Sequence, residues 1–136
     1  MIRRYKAYSD GGARGNPGPA GIGAVVYTPS GECHAIKKFI GHATNNQAEY
    51  RALIAALEHL VAHGAKAASC FLDSELLVKQ MRREYRVKDP ELGKLFLKAW
   101  ALAGQIPDIS FTHIPREKNK EADKLVNEAL DEAKTY

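Results

Sequence analysis

Four carboxylates, Asp10, Glu49, Asp73 and Asp123, stand where the hydrophobic pattern predicts the end of a strand or the start of a helix. Four such groups converging on one spot would repel each other strongly, and a divalent cation is the usual remedy. A donor set of carboxylates alone, without His or Cys, suits a hard, oxygen-seeking ion such as Mg2+ or Mn2+. Four carboxylates can hold two such ions with one acid bridging them. That arrangement stabilises both the attacking water and the leaving oxygen of a phosphoryl transfer.

Whether the acids meet depends on the elements that carry them. Residues 4–9 read as a strand ending at Asp10, followed by Gly11 and Gly12, which let a ligand approach the backbone. A Gly/Pro-rich turn over 15–19 follows, then strands over 21–27 and 32–41 joined by the turn Pro29-Ser30-Gly31. Such short links predict an antiparallel meander. Thr44-Asn45-Asn46 opens a long helix, with Thr or Asn as its cap, an apolar stripe of Leu53, Ala56, Leu57 and Leu60, and Gly64 at its end. The continuous apolar run 67–72 suits a strand buried on both faces, and Asp73 follows it. Helices over about 74–83 and from Pro90 to about Gly104, a strand over 109–114, a loop over 115–119 and a helix to near Lys134 complete the chain. The order β-β-β-α-β-α-α-β-α predicts an α/β fold in one domain over residues 1–136. Its five-stranded mixed sheet has three antiparallel strands, then two parallel to the first, flanked by helices.

Each acid has an ordinary role available to it. Asp10 before two glycines suits a turn, and Asp73 suits the cap of the next helix. Glu49 and Asp123 could serve a helix dipole or capping box. Helix phase argues otherwise for those two. Glu49 extends the stripe of Leu53, Ala56, Leu57 and Leu60, and Asp123 that of Val126 and Leu130, so both face inward. Asp73 lies at the carboxyl end of a strand, where open α/β sheets collect their ligands. If the first and fourth strands are neighbours, Asp10 and Asp73 end side by side.

Composition sets the remaining bounds. The chain has 136 residues, 45% of them hydrophobic, enough for a folded core. It has no membrane-length apolar run and no signal-peptide pattern, so a cytoplasmic protein is expected. Cys33 and Cys70 have no metal-motif spacing, and Cys70 falls in a buried run. Residues 79–98 carry seven basic and three acidic side chains, which accounts for the whole net charge of +4 and suggests a polyanion partner.

Several blocks occur together and in order: Tyr8-Ser9-Asp10-Gly11-Gly12, Gly15-Asn16-Pro17-Gly18-Pro19, Thr44-Asn45-Asn46-Gln47-Ala48-Glu49, Leu72-Asp73-Ser74 and Asn119-Lys120-Glu121-Ala122-Asp123. They span nearly the whole chain, and their combination resembles the type 1 ribonucleases H. The resemblance implies a metal-dependent endoribonuclease that cleaves the RNA strand of RNA–DNA hybrids with two Mg2+ or Mn2+ ions and leaves 5′-phosphate and 3′-hydroxyl ends. It implies Asp10, Glu49, Asp73 and Asp123 as metal-binding catalytic acids, with Asp10 bridging. Asn16, Asn45 and Gln47, with the backbone of Gly11 and Gly12, match positions that contact the minor groove, where 2′-hydroxyls distinguish RNA from DNA. Thr44 matches a pocket for a DNA-strand phosphate. A monomer is expected.

The chain also departs from that family. Only 50 positions separate Asp73 from Asp123, too few for the extra basic helix and loop of longer members. It therefore resembles a short form, in which Lys88 and Lys94 are candidates to supply substrate affinity. Glu75 stands where many members have Gln and can accept but not donate a hydrogen bond. For the loop residue acting near the scissile phosphate, Arg116 is preferred, on a Pro-Arg-Glu segment like that of shorter members. His113 is the runner-up, inside a predicted strand. An A-form RNA duplex presents similar hydroxyls, so double-stranded RNA is the competing substrate. A non-catalytic hybrid-binding module is the competing function, although a pure binder gains nothing from four mutually repelling acids.

Overall fold

The computed structural model describes residues 3–134, and strands β1 (Arg4–Ala13), β2 (Gly18–Tyr27) and β3 (Cys33–Ala43) form its antiparallel meander. Helix α1 (Asn45–Ala62) leads to β4 (Ala67–Leu72). Helices α2 (Glu75–Met81) and α3 (Pro90–Ala103) lead to β5 (Asp108–His113), and α4 (Lys120–Ala133) follows a 3-10 turn over Arg116–Lys118. The sheet order is β3-β2-β1-β4-β5, with β4 parallel to β1 and β5 parallel to β4. This is the mixed sheet predicted from the alternation of strand and helix patterns.

The strands are longer than expected at one end of the sheet. β1 does not stop at Asp10 but continues through Gly11 and Gly12 to Ala13, with Asp10 opposite Gly23 and Gly12 opposite Gly21. Likewise β2 starts at Gly18 and β3 runs to Ala43, its partner. Glycine has no side chain to alternate, so hydrophobic pattern cannot reveal these extensions. The parallel pairing of β1 with β4 ends at Ser9 and Leu72. Asp10 is therefore inside the antiparallel ladder but one residue past the parallel one, where β1 and β4 part.

α1 supplies the core of one sheet face. Tyr50, Leu53, Leu57 and Leu60 on it are fully buried, with Ala24 and Val26 of β2 in the same apolar cluster. Each large side chain so buried contributes about 1.5–3 kcal/mol. The alternate residues of β2 turn to the other face, where Gly23 meets α4: a Cβ there would fall 2.4 Å from the Ala122 carbonyl oxygen. α4 thus lies backbone-close over β2 and carries Asp123 with it. Cys70 is buried, which pushes its thiol up to about 12. No helix among the described residues is long and apolar enough to cross a membrane.

Candidate active site

Local capping decides which acids are left for other work. Thr44 caps α1, its Oγ1 accepting from the Gln47 N–H at 3.1 Å, while Gln47 Oε1 accepts from the Thr44 N–H at 2.9 Å. This capping box belongs to Thr44 and Gln47. Glu49 lies one turn further in and takes no part in it. Ser74, not Asp73, caps α2, its Oγ accepting from the Leu77 N–H at 3.3 Å. Gly11 has a use beyond the expected one. A Cβ there would lie 2.2 Å from the Ala48 carbonyl oxygen, so this glycine admits the backbone of α1. That contact seats the residue just before Glu49 directly on β1, next to Asp10.

Asp10, Glu49 and Asp73 each offer a carboxylate oxygen, and the three oxygens lie within 4.8 Å of one another. Burial, then the charges of Asp73, Glu49 and Asp123, push Asp10 up to about 8 against a lowering hydrogen bond from the Gly11 N–H. Burial also pushes Glu49 up to about 7, helped by Asp73 and opposed by the Ser74 hydroxyl and the Arg116 guanidinium. Asp73 Oδ2 is buried with no hydrogen-bond partner. An orphaned buried carboxylate oxygen is costly without a cation. With an all-oxygen donor set around it, the cluster fits a hard divalent ion.

The four acids meet at one cavity but not equally closely. Asp123 lines the same cavity of about 490 Å3 and acts on Asp10 electrostatically, but it stands outside the three-oxygen group. Its neighbour Asn127 donates Nδ2 to the Asp123 backbone oxygen at 3.1 Å and to its Oδ2 at 3.5 Å. The site is a close triad with a fourth acid lining the same cavity, carried by α4.

The raised carboxylates make a pH prediction. Both are protonated in the metal-free folded state at a pH where the unfolded chain has ionised them. Their contribution to stability is present below about pH 4 and lost as pH rises through about 7 to 8. Thermal unfolding with chelator from pH 5 to 9 should show a falling midpoint. Saturating divalent cation should raise the midpoint most at the alkaline end. A metal-free midpoint that climbs across this range would contradict the assignment.

The other predicted residues separate into two groups. Gly11, Gly12, Asn45 and Arg116 line the acid cavity, while Asn16, Thr44, Gln47, Glu75, Lys88 and His113 do not. Asn16 nonetheless stands next to it, because its Oδ1 accepts from the Asn45 N–H at 3.0 Å, and Asn45 Oδ1 accepts from the Ala13 N–H at 2.8 Å. With both carbonyl oxygens held, the amide nitrogens of these two residues are presented as donors. Glu75 is exposed and ion-paired with Lys79 at 2.9 Å. Lys88 is exposed on the α2–α3 link. His113 ends β5 opposite Leu72, and its charge bears on Glu75 rather than on the triad.

One residue the sequence reading gave no role is Asn119. It occupies the cap position of α4 but makes no capping bond. It is 2% exposed and donates Nδ2 to the Ser9 carbonyl at 2.9 Å. It thereby ties the Arg116 turn and the start of α4 to the residue before Asp10. The available signal was an Asn immediately ahead of a helix that carries an inward acid.

The family described as reverse transcriptase-like matches residues 8–129 of this chain. Bifunctional protein Rv2228c of Mycobacterium tuberculosis is 50% identical over 127 residues, covering 92% of this chain and 35% of that protein. The chain thus spans well under half the length of this relative. Its N-terminal RNase H domain, solved as a fusion protein, has a TM-score of 0.91 at 48% identity, covering 94% of this chain and 99% of that one. Ribonuclease HI of Halobacterium salinarum is 46% identical over 131 residues, covering 96% of this chain and 66% of that protein. LC11-RNase H1, in complex with an RNA/DNA hybrid, has a TM-score of 0.88 at 49% identity, covering 95% of this chain and 98% of that one.

Proposed function

The chain belongs to the reverse transcriptase-like, ribonuclease H-like family, and from that premise we propose that it hydrolyses the RNA strand of RNA–DNA hybrids in a cation-dependent reaction. The observation that carries this reading is the partly buried triad of Asp10, Glu49 and Asp73 with its oxygens within 4.8 Å. A module that only bound nucleic acid would gain nothing from three acids that destabilise one another. A relative of 49% identity is known in complex with an RNA/DNA hybrid, which supports a hybrid as the substrate here.

In this proposal Asp10, Glu49, Asp73 and Asp123 hold two divalent ions, Mg2+ or Mn2+. Asp10 would be shared between the ions in this reading, which its electrostatic contact with the other three acids supports. Bound there, such ions supply Lewis-acid stabilisation of the phosphoryl oxygens and favour ionisation of the attacking water. The chain's own part is positioning and selection. The amides of Asn16 and Asn45 donate to the 2′-hydroxyl oxygens of the RNA strand, and the backbone of Gly11 and Gly12 lies along the same groove. Water attacks phosphorus, the bond to the 3′ oxygen breaks and that oxygen takes a proton. The products carry 5′-phosphate and 3′-hydroxyl ends. Arg116, whose guanidinium already bears on Glu49, offsets charge on the phosphate and eases departure of the product. Residues 1–136 are taken as one domain of this kind.

End-labelled hybrid, duplex RNA and duplex DNA, each with Mg2+, Mn2+ or chelator, test the reading. Cleavage of hybrid alone, and only with metal, is the expected result, and an intact hybrid under both metals would sink it. In the same assay Arg116→Ala should lower turnover about 10²-fold, with His113→Ala within a few-fold of wild type. The reverse ranking would transfer the role to His113.

A further inference from the structure

The basic side chains of residues 79–98 are not spread evenly over a solvated face. Lys79 Nζ lies 4.8 Å from the ring centroid of Tyr85, and Arg83 Cζ lies 5.2 Å from that of Trp100. Both rings are open to solvent, Tyr85 at 51% and Trp100 at 41% exposure. Arg83 holds a backbone conformation that usually needs glycine, with φ 64°. It closes α2, donating its N–H to the Gln80 carbonyl at 3.0 Å while the Glu84 N–H reaches the Lys79 carbonyl at 2.8 Å. A side chain there crowds the backbone. The fold bears that strain at the one residue whose guanidinium covers Trp100.

Beside this pair a groove of about 570 Å3 opens between the ends of α2 and α3 and the edge strand β5. Its floor is apolar, with Ala103, Ile106, Ile109 and Phe111, and Arg82 and Trp100 stand at its sides. Cations alone would suit a duplex backbone. An exposed ring beside an apolar floor, with Arg82 and Arg83 next to it, suits something flat, apolar and joined by anions, which describes an unpaired base in a strand. α2 begins two residues after Asp73 and runs about 10 Å to this place. A strand leaving the acid triad along α2 would arrive at the groove.

We propose that the groove between α2, α3 and β5, with the Arg83–Trp100 pair at its side, takes unpaired nucleotides of a strand running on from the hybrid. The chain then acts preferentially on hybrids that border a single-stranded stretch. This inference rests on the hybrid being the substrate, and its test separates the two. Cleavage and binding are measured on a blunt hybrid, on the same hybrid with a single-stranded extension of about six nucleotides, and on the extension alone.

Wild type should bind the extended hybrid about tenfold more tightly than the blunt one. Trp100→Ala should abolish that gain and the binding of the free extension, while blunt-hybrid cleavage stays within twofold of wild type. Trp100→Phe, which keeps a ring, should retain part of the gain. Arg83→Gly should lose much of the gain without lowering the unfolding midpoint, because glycine relieves the strain. Equal affinity for blunt and extended hybrids would overturn the proposal, as would Trp100→Ala weakening both alike. If blunt hybrid is not cleaved at all, the enzyme reading fails, and the free extension still judges the groove.

Discussion

Asp10→Asn is expected to lower hybrid cleavage by about 10³-fold or more while making the metal-free protein more stable at neutral and alkaline pH. The two effects share one cause. Asp10 is buried, faces three other acids and is pushed up to about 8. Without a cation its charge is a cost, and Asn removes the charge at almost the same shape. The gain should be on the order of 5 kcal/mol near pH 8 and vanish below about pH 4, where both side chains are neutral. In the proposed metal site the same charge is a ligand, and a neutral amide is a poor substitute for a hard ion. Turnover with Mg2+ and Mn2+, together with chelator-treated unfolding at pH 5, 7 and 9, checks both halves. An active variant, or one less stable than wild type at pH 8, would remove Asp10 from the centre of the site.

Gly11→Ala should cost both stability and activity, unlike the same change at Gly12. The new Cβ at position 11 would lie 2.2 Å from the Ala48 oxygen and 2.5 Å from the Glu49 nitrogen, both backbone atoms of α1 that cannot rotate aside. The helix must lift. A loss of more than about 3 kcal/mol is expected. The displaced Glu49 should cost about 10²-fold in turnover even where the variant folds. At Gly12 the new Cβ would meet only Val126 Cγ1, at 3.5 Å, an ordinary contact. Gly12→Ala should therefore change stability by less than about 1 kcal/mol. Urea midpoints of the two variants decide the matter, and equal midpoints would show that α1 does not depend on this seat.

The contrast between the two glycines shows where sequence reading stops. Both followed Asp10 and both looked like room for a ligand. Only the packing of α1 distinguishes them, and that partner comes from a distant segment. The same holds for caps. Thr44, Asn45 and Asn46 were equal candidates for the start of α1, and Asp73 was the candidate cap of α2. The folded chain uses Thr44 with Gln47, and Ser74, which leaves Asn45 to accept from Ala13 and Asp73 Oδ2 without a partner.

By itself the sequence determined the element order, the five-stranded mixed sheet and the inward phase of Glu49, because period and turn chemistry are local properties that each segment carries with it. It also named the acids, since a carboxylate on an apolar stripe is conspicuous wherever it occurs. Distances were decided only by the tertiary structure. β1 continues past Asp10 while its parallel partner ends, opening the sheet where Asp10 and Asp73 stand. α1, seated on Gly11, brings Glu49 into the triad, and α4, seated on Gly23, leaves Asp123 outside it. The physical reason is that a metal ligand must be placed to a fraction of an ångström. That precision comes from backbone-to-backbone contacts between distant segments, which hydrophobic pattern does not encode.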